Sequence, residues 1–306
     1  MRIIQLDSHG PDVADWQRFL AEQGFQLGSP DGSFGAETKA ATIAFQEKNG
    51  LDPDGVCGNG TFGVAMTLGF APLGNPDDPG PKFGQSKVAE VDDVPVFKLA
   101  SGKAVFFTAR MRVDADGSPH AYKIRNKGLD LDDNAKNPAK PNGKWVGVAT
   151  DRNGDAIVQG PNDPAPGYLV STTALTFPGK NPSDPLCYVD SEEISYIVLP
   201  GGKLGGAKLG DFALAINTLN KKRSSCIVAD IGPRAEIGEA SMACVAALLG
   251  KANSQPRKGG TDDKIIRYIV FPASGDGKAY GQDVIDAKVE GLLHDLSEDE
   301  IVTISS

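Results

Sequence analysis

The chain has 306 residues, of which 40% are hydrophobic and 23% charged, the composition of a globular protein long enough for two domains. Its formal net charge of −9 without a basic stripe excludes a nucleic-acid partner. No apolar run approaches the ~18 residues of a membrane span. Residues 1–7 lack the apolar stretch of a secretory signal peptide, so we expect synthesis in the cytoplasm.

The potential metal ligands do not form a recognisable site. Four cysteines have no ligand spacing, and three histidines lie far apart in sequence, so we expect no metal and no cofactor. The cysteines are Cys57, Cys187, Cys226 and Cys244. Buried free thiols are the default, and a Cys187–Cys226 or Cys226–Cys244 bridge is the alternative. The Asp-x-Asp-Gly fragment at 114–117 begins like a calcium loop, but the rest of an EF-hand is missing.

The first 70 residues contain an internal repeat. The segment Asp31-Gly-Ser-Phe34-Gly-Ala-Glu-Thr38 recurs as Asp54-Gly-Val-Cys-Gly-Asn-Gly-Thr61, each after a helix-like stretch. The Asp-Gly pairs predict tight turns, and the two threonines are candidate caps of the helices that follow. A Gly/Pro/Asp-rich segment, 71–93, predicts a semi-rigid linker.

Residues 1–70 resemble the small three-helix peptidoglycan-binding domain that accompanies wall hydrolases. The resemblance implies that the wall is contacted around the Asp-Gly turns, and we assign Asp31, Phe34 and Asp54 to that surface. The alternative is that these residues only organise the turns.

Residues 226–250 carry the strongest candidate for chemistry. The apolar run 227–229 predicts a buried strand that ends in Asp230, with a Gly-Pro turn after it. A second turn at Gly238 leads to Glu239, predicted in the first turn of a helix that Gly250 ends. Two carboxyl groups at rigid positions are suited to general acid–base catalysis. The alternative is a turn residue and a helix-dipole partner.

Several motifs in the same order surround this pair, including Asp114-Ala-Asp116-Gly, His120-Ala-Tyr122, Gly-Tyr168-Leu-Val-Ser and Tyr188-Val-Asp190. Over 94–306 the chain resembles the chitosanases of glycoside hydrolase family 75. The resemblance implies an α+β protein whose C-terminal domain has a double-psi β-barrel-like core. It also implies an inverting hydrolase of β-1,4-linked amino sugars. We assign substrate contacts to Asp116, His120, Tyr122, Tyr188, Asp190 and Ser241.

We predict that Asp230 is the general acid and Glu239 the general base. Desolvation at a strand end favours a protonated Asp230, and the helix dipole favours an ionised Glu239. The expected substrate is peptidoglycan or chitosan, cleaved by a monomer that acts on the cell wall as an antibacterial effector or a lysin. It would leave the cell by a non-classical route or phage lysis, with an inhibitor or immunity protein as a further partner. The alternatives are a lytic transglycosylase that uses Asp230 alone and a non-catalytic, expansin-like wall-binding protein.

Overall fold

The computed structural model describes residues 3–70, 84–136 and 145–305. The chain divides into two compact units, Met1–Lys82 and Phe83–Ser306. Residues 71–83 of the predicted linker lie outside the described residues. The rest of that prediction is wrong, because a strand occupies Gln85–Val91 and turns through Asp92 and Asp93 into the next strand. Both aspartates have positive φ angles, of 53° and 56°, the conformation of a tight hairpin turn.

The N-terminal unit consists of three helices around an aromatic core. They are α1 (Pro11–Glu22), α2 (Ala36–Lys48) and α3 (Asn59–Thr67). Trp16 is fully buried, and four phenylalanine rings lie with their centroids within 5.6 Å of the Trp16 centroid. Its indole N–H donates to Thr42 Oγ1 at 2.9 Å, which satisfies the one polar atom of the ring. The repeat thus provides a core of its own.

Each half of the repeat is organised by one glutamine side chain. Nε2 of Gln17 donates to Asp31 Oδ1, Ser33 O and Thr38 Oγ1, and its Oε1 accepts the Gly32 N–H at 2.9 Å. Gln46 makes the same four bonds, to Asp54, Val56, Thr61 and Gly55. The threonines are therefore partners of the glutamines within α2 and α3. The capping prediction was wrong, because glycines precede both helices and no side chain caps them.

The C-terminal unit is rich in strands. They are β1 (Gln85–Val91), β2 (Val94–Leu99), β3 (Val105–Asp114), β4 (Tyr196–Pro200), β5 (Lys203–Leu204), β6 (Ala207–Lys208), β7 (Phe212–Asn217), β8 (Arg223–Gly232), β9 (Glu239–Ser241) and β10 (Thr261–Val270). The main sheet has the order β1-β2-β3-β10-β7-β8-β4-β9. Because β9 also pairs with β3, the strands from β3 to β9 close into a ring. The unit is thus β-rich and barrel-like.

Three helices and two hydrophobic clusters cover this sheet. The helices are α4 (Met242–Leu249), α5 (Gln282–His294) and α6 (Glu298–Ser305). One cluster joins the sheet to α4 through Cys244, Val245 and Leu248. The other joins it to α5 and α6 through Ile285, Val289 and Ile304, so the predicted C-terminal helix packs on the body. All four cysteines are free thiols, with Cys226 Sγ 3.6 Å from Cys244 Sγ. None of the described helices is both long and apolar enough to cross a membrane.

Candidate active site

Asp230 and Glu239 lie on two strands that flank β4. Asp230 pairs in register with Val198, and the antiparallel pairing of Ile197 with Ala240 places Glu239 level with Val198 on the other side. Two interstrand spacings of about 4.8 Å separate the backbones of the two acids by roughly 9–10 Å. The two acids therefore lie level with each other on either side of a single strand, with Val198 between them.

The predicted position of Glu239 was wrong. The residue belongs to β9, and α4 begins only at Met242. Gly238 makes this possible, because its φ of 91° and its close approach to Arg110 O leave no room for a side chain. The Gly238 carbonyl accepts the Arg112 N–H at 2.8 Å, which aligns Glu239 with Arg112 on β3. The helix dipole therefore cannot keep Glu239 ionised.

Two further carboxyl groups, those of Asp114 and Asp116, lie beside Asp230. Ligand oxygens of these three residues all lie within 4.8 Å of one another. Asp116 Oδ1 accepts a hydrogen bond from Tyr122 Oη at 2.5 Å, and Asp114 Oδ1 accepts the Asp116 N–H at 2.8 Å. The structure thus brings the predicted residues Asp116 and Tyr122 next to Asp230. Asp114 was not assigned a role from the sequence, although it belongs to the same Asp-x-Asp-Gly fragment as Asp116.

Burial raises the pKa of every carboxyl group in this cluster. Desolvation, then the charge of Asp114, raises the pKa of Asp230 to about 8. Desolvation, then Asp114, Asp230 and Glu236, raises the pKa of Glu239 to about 8. The pKa of Asp114 rises to about 6, and burial and its neighbours raise that of Asp116 well above its usual value. Since like charges this close cannot all ionise, the cluster holds protons near neutral pH.

The two central acids differ in their neighbours. Asp230 Oδ1 accepts the N–H groups of Ala174 at 3.1 Å and Ile231 at 2.8 Å, so Oδ2 can carry a proton. The negative charge of Asp114 acts on Asp230 and raises its pKa. Glu239 instead shares a small pocket with Arg110 and Arg112, and the Arg112 charge lowers its pKa. The pKa values of both acids are nevertheless raised to about 8, so they do not distinguish the acid from the base, and the roles of Asp230 and Glu239 stay a prediction.

Asp114, Asp116 and Asp230 are also the residues that could hold a cation. Carboxylate oxygens at this spacing suit a hard divalent ion. However, one oxygen of Asp116 and one of Asp230 already accept hydrogen bonds from protein donors. The arrangement fits a cluster of carboxyl groups that share protons at least as well as it fits a cation site. The effect of a chelator on activity distinguishes these two alternatives.

A second polar group contains His120 and Asp190. His120 is exposed, and its Nδ1 lies 2.8 Å from Glu192 Oε2, which also accepts from Ser118 Oγ at 2.5 Å. Asp190 Oδ1 accepts the Glu192 N–H at 2.9 Å, and burial, with nearby glutamates, raises its pKa to about 6. The sequence analysis did not select Glu192, which links these residues to the loop after Asp116.

Two residues assigned to substrate contact have structural positions. Ser241 is fully buried, caps α4 by accepting the Cys244 N–H, and also accepts the Tyr196 N–H at 3.0 Å. Tyr188 is largely buried, and its hydroxyl donates to Pro182 O at 2.8 Å. These contacts occupy both side chains, so neither position fits the predicted contact with a glycan.

Of the three predicted wall-binding residues, two are exposed and one is buried. Asp31 and Asp54 are exposed, although one oxygen of each is bound by a glutamine and a turn N–H. Phe34 is buried in the aromatic core, which does not fit its predicted contact with the wall. A groove beside the second turn is lined by Gln46, Leu51, Asp52, Asp54, Val56, Gly58, Gly60 and Thr61.

Comparison with known proteins identifies this N-terminal unit. Residues 9–64 match the family model of the peptidoglycan binding domain. The unit is a peptidoglycan-binding domain. The N-acetylmuramoyl-L-alanine amidase CwlM of Mycobacterium tuberculosis is 43% identical over 54 residues, 18% of this chain. The chain spans only 13% of that amidase.

Two solved structures are similar over the same short extent. The SleB N-terminal domain is 39% identical, covering 22% of this chain and 92% of that chain, with a TM-score of 0.22. The endolysin of Burkholderia phage AP3 is 32% identical, covering 23% of this chain and 27% of that chain, with a TM-score of 0.21. The family match is confined to residues 9–64, within the N-terminal unit. The family 75 resemblance of 94–306 stays a prediction.

Proposed function

We propose that the C-terminal unit hydrolyses the β-1,4-linked amino-sugar backbone of a cell-wall glycan, to which the peptidoglycan-binding domain tethers it. The observation that carries the proposal is the placement of Asp230 and Glu239 at one level on either side of β4. An inverting pair needs about 6.5–9.5 Å between its carboxyl groups so that a water fits between them, and the anomer of the product tests this part of the proposal. A retaining pair needs about 5–5.5 Å.

In this mechanism Asp230 is the general acid. Its Oδ1 is fixed by two backbone N–H groups, which leaves Oδ2 to protonate the glycosidic oxygen. Glu239, beside Arg112, is the general base that takes a proton from the attacking water. The double-psi barrel and the relationship to family 75 are part of this proposal, and the barrel-like ring of strands supports them. The site of action is the cell wall.

The substrate is peptidoglycan strands or a glucosamine polymer such as chitosan. The peptidoglycan-binding domain supports the first. The many carboxyl groups of the cluster suit the second, because ionised carboxylates attract ammonium groups.

Substitution of the two acids tests the mechanism. Asp230→Asn and Glu239→Gln should each lower kcat by about two to four orders of magnitude, while glycan binding persists. On a substrate whose leaving group needs no protonation, Asp230→Asn should recover much of its activity. Glu239→Gln should recover only with azide in place of water, and proton NMR should show inverted anomeric products.

Three results would contradict the assignment. The opposite rescue pattern would exchange the roles of the two acids. A 1,6-anhydro product with near-normal turnover in Glu239→Gln would make Asp230 the single acid of a lytic transglycosylase. Loss of activity with a chelator, restored by a divalent ion, would make the three aspartates a metal site.

A further inference from the structure

A pocket with two arginines adjoins Glu239. It is lined by Arg110 and Arg112 of β3, by Val198 and by the turn from Glu236 to Glu239. Arg112 is aligned with Glu239 on the neighbouring strand, and its side chain is 51% exposed. The Arg110 Nε is buried and has no hydrogen-bond partner in the described part of the chain. Two arginine side chains therefore border the pocket next to the proposed general base.

The carboxylate of Glu236 lies between the two guanidinium groups. It pairs with Arg112 and lies 3.8 Å from Arg110, which also pairs with Asp92 at 2.8 Å. Glu236 ends an exposed turn, 233–236, and its own side chain is 46% exposed. Exposed ion pairs contribute little free energy, so another carboxylate can replace Glu236 at small cost.

We propose that Arg110 and Arg112 form a subsite for a substrate carboxylate, which displaces Glu236 when the glycan binds. The inference rests on the proposed function, because it places the subsite one strand away from Glu239. Arginine suits this role because its guanidinium binds a carboxylate with two parallel hydrogen bonds.

The substrate class follows from this chemistry. Muramic acid carries a lactyl carboxyl group, which is free in peptide-stripped strands, and intact peptidoglycan carries carboxylates on its stem peptides. Glucosamine polymers have no carboxylate to offer. The subsite thus selects an anionic wall glycan over chitosan, against the general attraction of the acidic cluster for cationic sugars.

The test compares peptide-free glycan strands with the same strands after conversion of their carboxyl groups to methylamides. The wild-type protein should have a kcat/KM about tenfold higher on the carboxylated strands. Arg112→Gln should bring the ratio close to one, and Glu236→Gln should raise it roughly two- to fivefold, because the competing carboxylate is gone. Arg223→Gln, at the opposite end of β8 from Asp230, is the matched control and should keep the wild-type ratio.

Binding constants for the same two strands make the test independent of turnover. Equal cleavage and equal binding of the carboxylated and the methylamide forms by the wild type, with peptide-free strands and with intact sacculi, would overturn the inference while the proposed function stands. An Arg112-dependent preference in binding without any cleavage would keep the subsite and reject the hydrolase. A preference that appears only with intact sacculi assigns the carboxylate to the stem peptide, and one seen with peptide-free strands assigns it to the lactyl group. The inference would also be overturned if Arg112→Gln kept the wild-type ratio of kcat/KM between the carboxylated and the methylamide form, both in peptide-free strands and in sacculi.

Discussion

Replacing Asp114 by asparagine should move the whole pH profile of kcat/KM to lower pH. Asp114 is a source of negative charge for both Asp230 and Glu239, and its removal lowers the pKa of each. The asparagine Oδ1 can still accept the Asp116 N–H, so the turn keeps its hydrogen bond. At 4.8 Å, the largest separation of the ligand oxygens, one unit charge acts on Asp230 with about 3.5 kcal/mol at an effective dielectric constant of ~20.

That energy corresponds to about 2.5 pKa units, and partial exposure reduces it to an expected shift of roughly one to two units. The sign follows from protonation. A lower pKa ionises the acid Asp230 at lower pH and likewise ionises the base Glu239 at lower pH, so both limbs move down. The measurement is kcat/KM on soluble oligomers between pH 4 and 9. Glu290→Gln, on the exposed side of α5, is the control. Unmoved limbs, or limbs moved upward, would refute the electrostatic role of Asp114.

Three further predictions concern stability and binding. Because the folded-state pKa values of Asp230 and Glu239 are raised to about 8, their contribution to stability is complete only below their unfolded-state pKa values of 3.8 and 4.5, and it is lost as pH rises from there through 8. Calorimetry should therefore show a lower Tm at pH 8.5 than at pH 5, with a smaller difference in Asp230→Asn. Removal of residues 1–70 should reduce activity on insoluble sacculi but not on soluble oligomers, and an equal loss on both would contradict tethering. Gln46→Ala should destabilise the N-terminal unit by about 2–4 kcal/mol in urea unfolding, and Gln17→Ala by a similar amount. The reason is that each glutamine makes the same four hydrogen bonds. Clearly unequal losses of stability would show that the two glutamines do not have equivalent roles.

The local signals in the sequence predicted the helical unit well. The Asp-Gly pairs indicated the turns that separate the helices of the repeat, and the family comparison agrees with the domain. The threonines were misjudged, because a cap and an internal partner of a distant glutamine have the same local sequence. The hairpin at 85–99 was missed since its turn is Asp92-Asp93, a pair that without glycine resembles a polar linker.

The sequence indicated which residues form the candidate site but not how they are arranged in space. The apolar run before Asp230 correctly indicated a buried strand, and Gly238 correctly indicated a turn. Whether Glu239 starts a helix or ends in a strand depends on its pairing with β3, more than 120 residues earlier in the chain. For the same reason the nearness of Asp114 to Asp230 could not be read from sequence, because it results from the closure of the sheet.

The single strand between the two acids has a consequence for how the reaction can evolve. The proposed acid and base lie on hydrogen-bonded strands on either side of β4, so the spacing of their backbones does not depend on side-chain packing. Asp230→Glu would lengthen one side chain by a methylene group, but Val198 and β4 would still lie between the two acidic residues. Under the proposed inverting mechanism, a lineage built on this sheet would exchange the sugars it accepts through its loops and arginines, whereas the anomer that it releases would be inherited with the barrel.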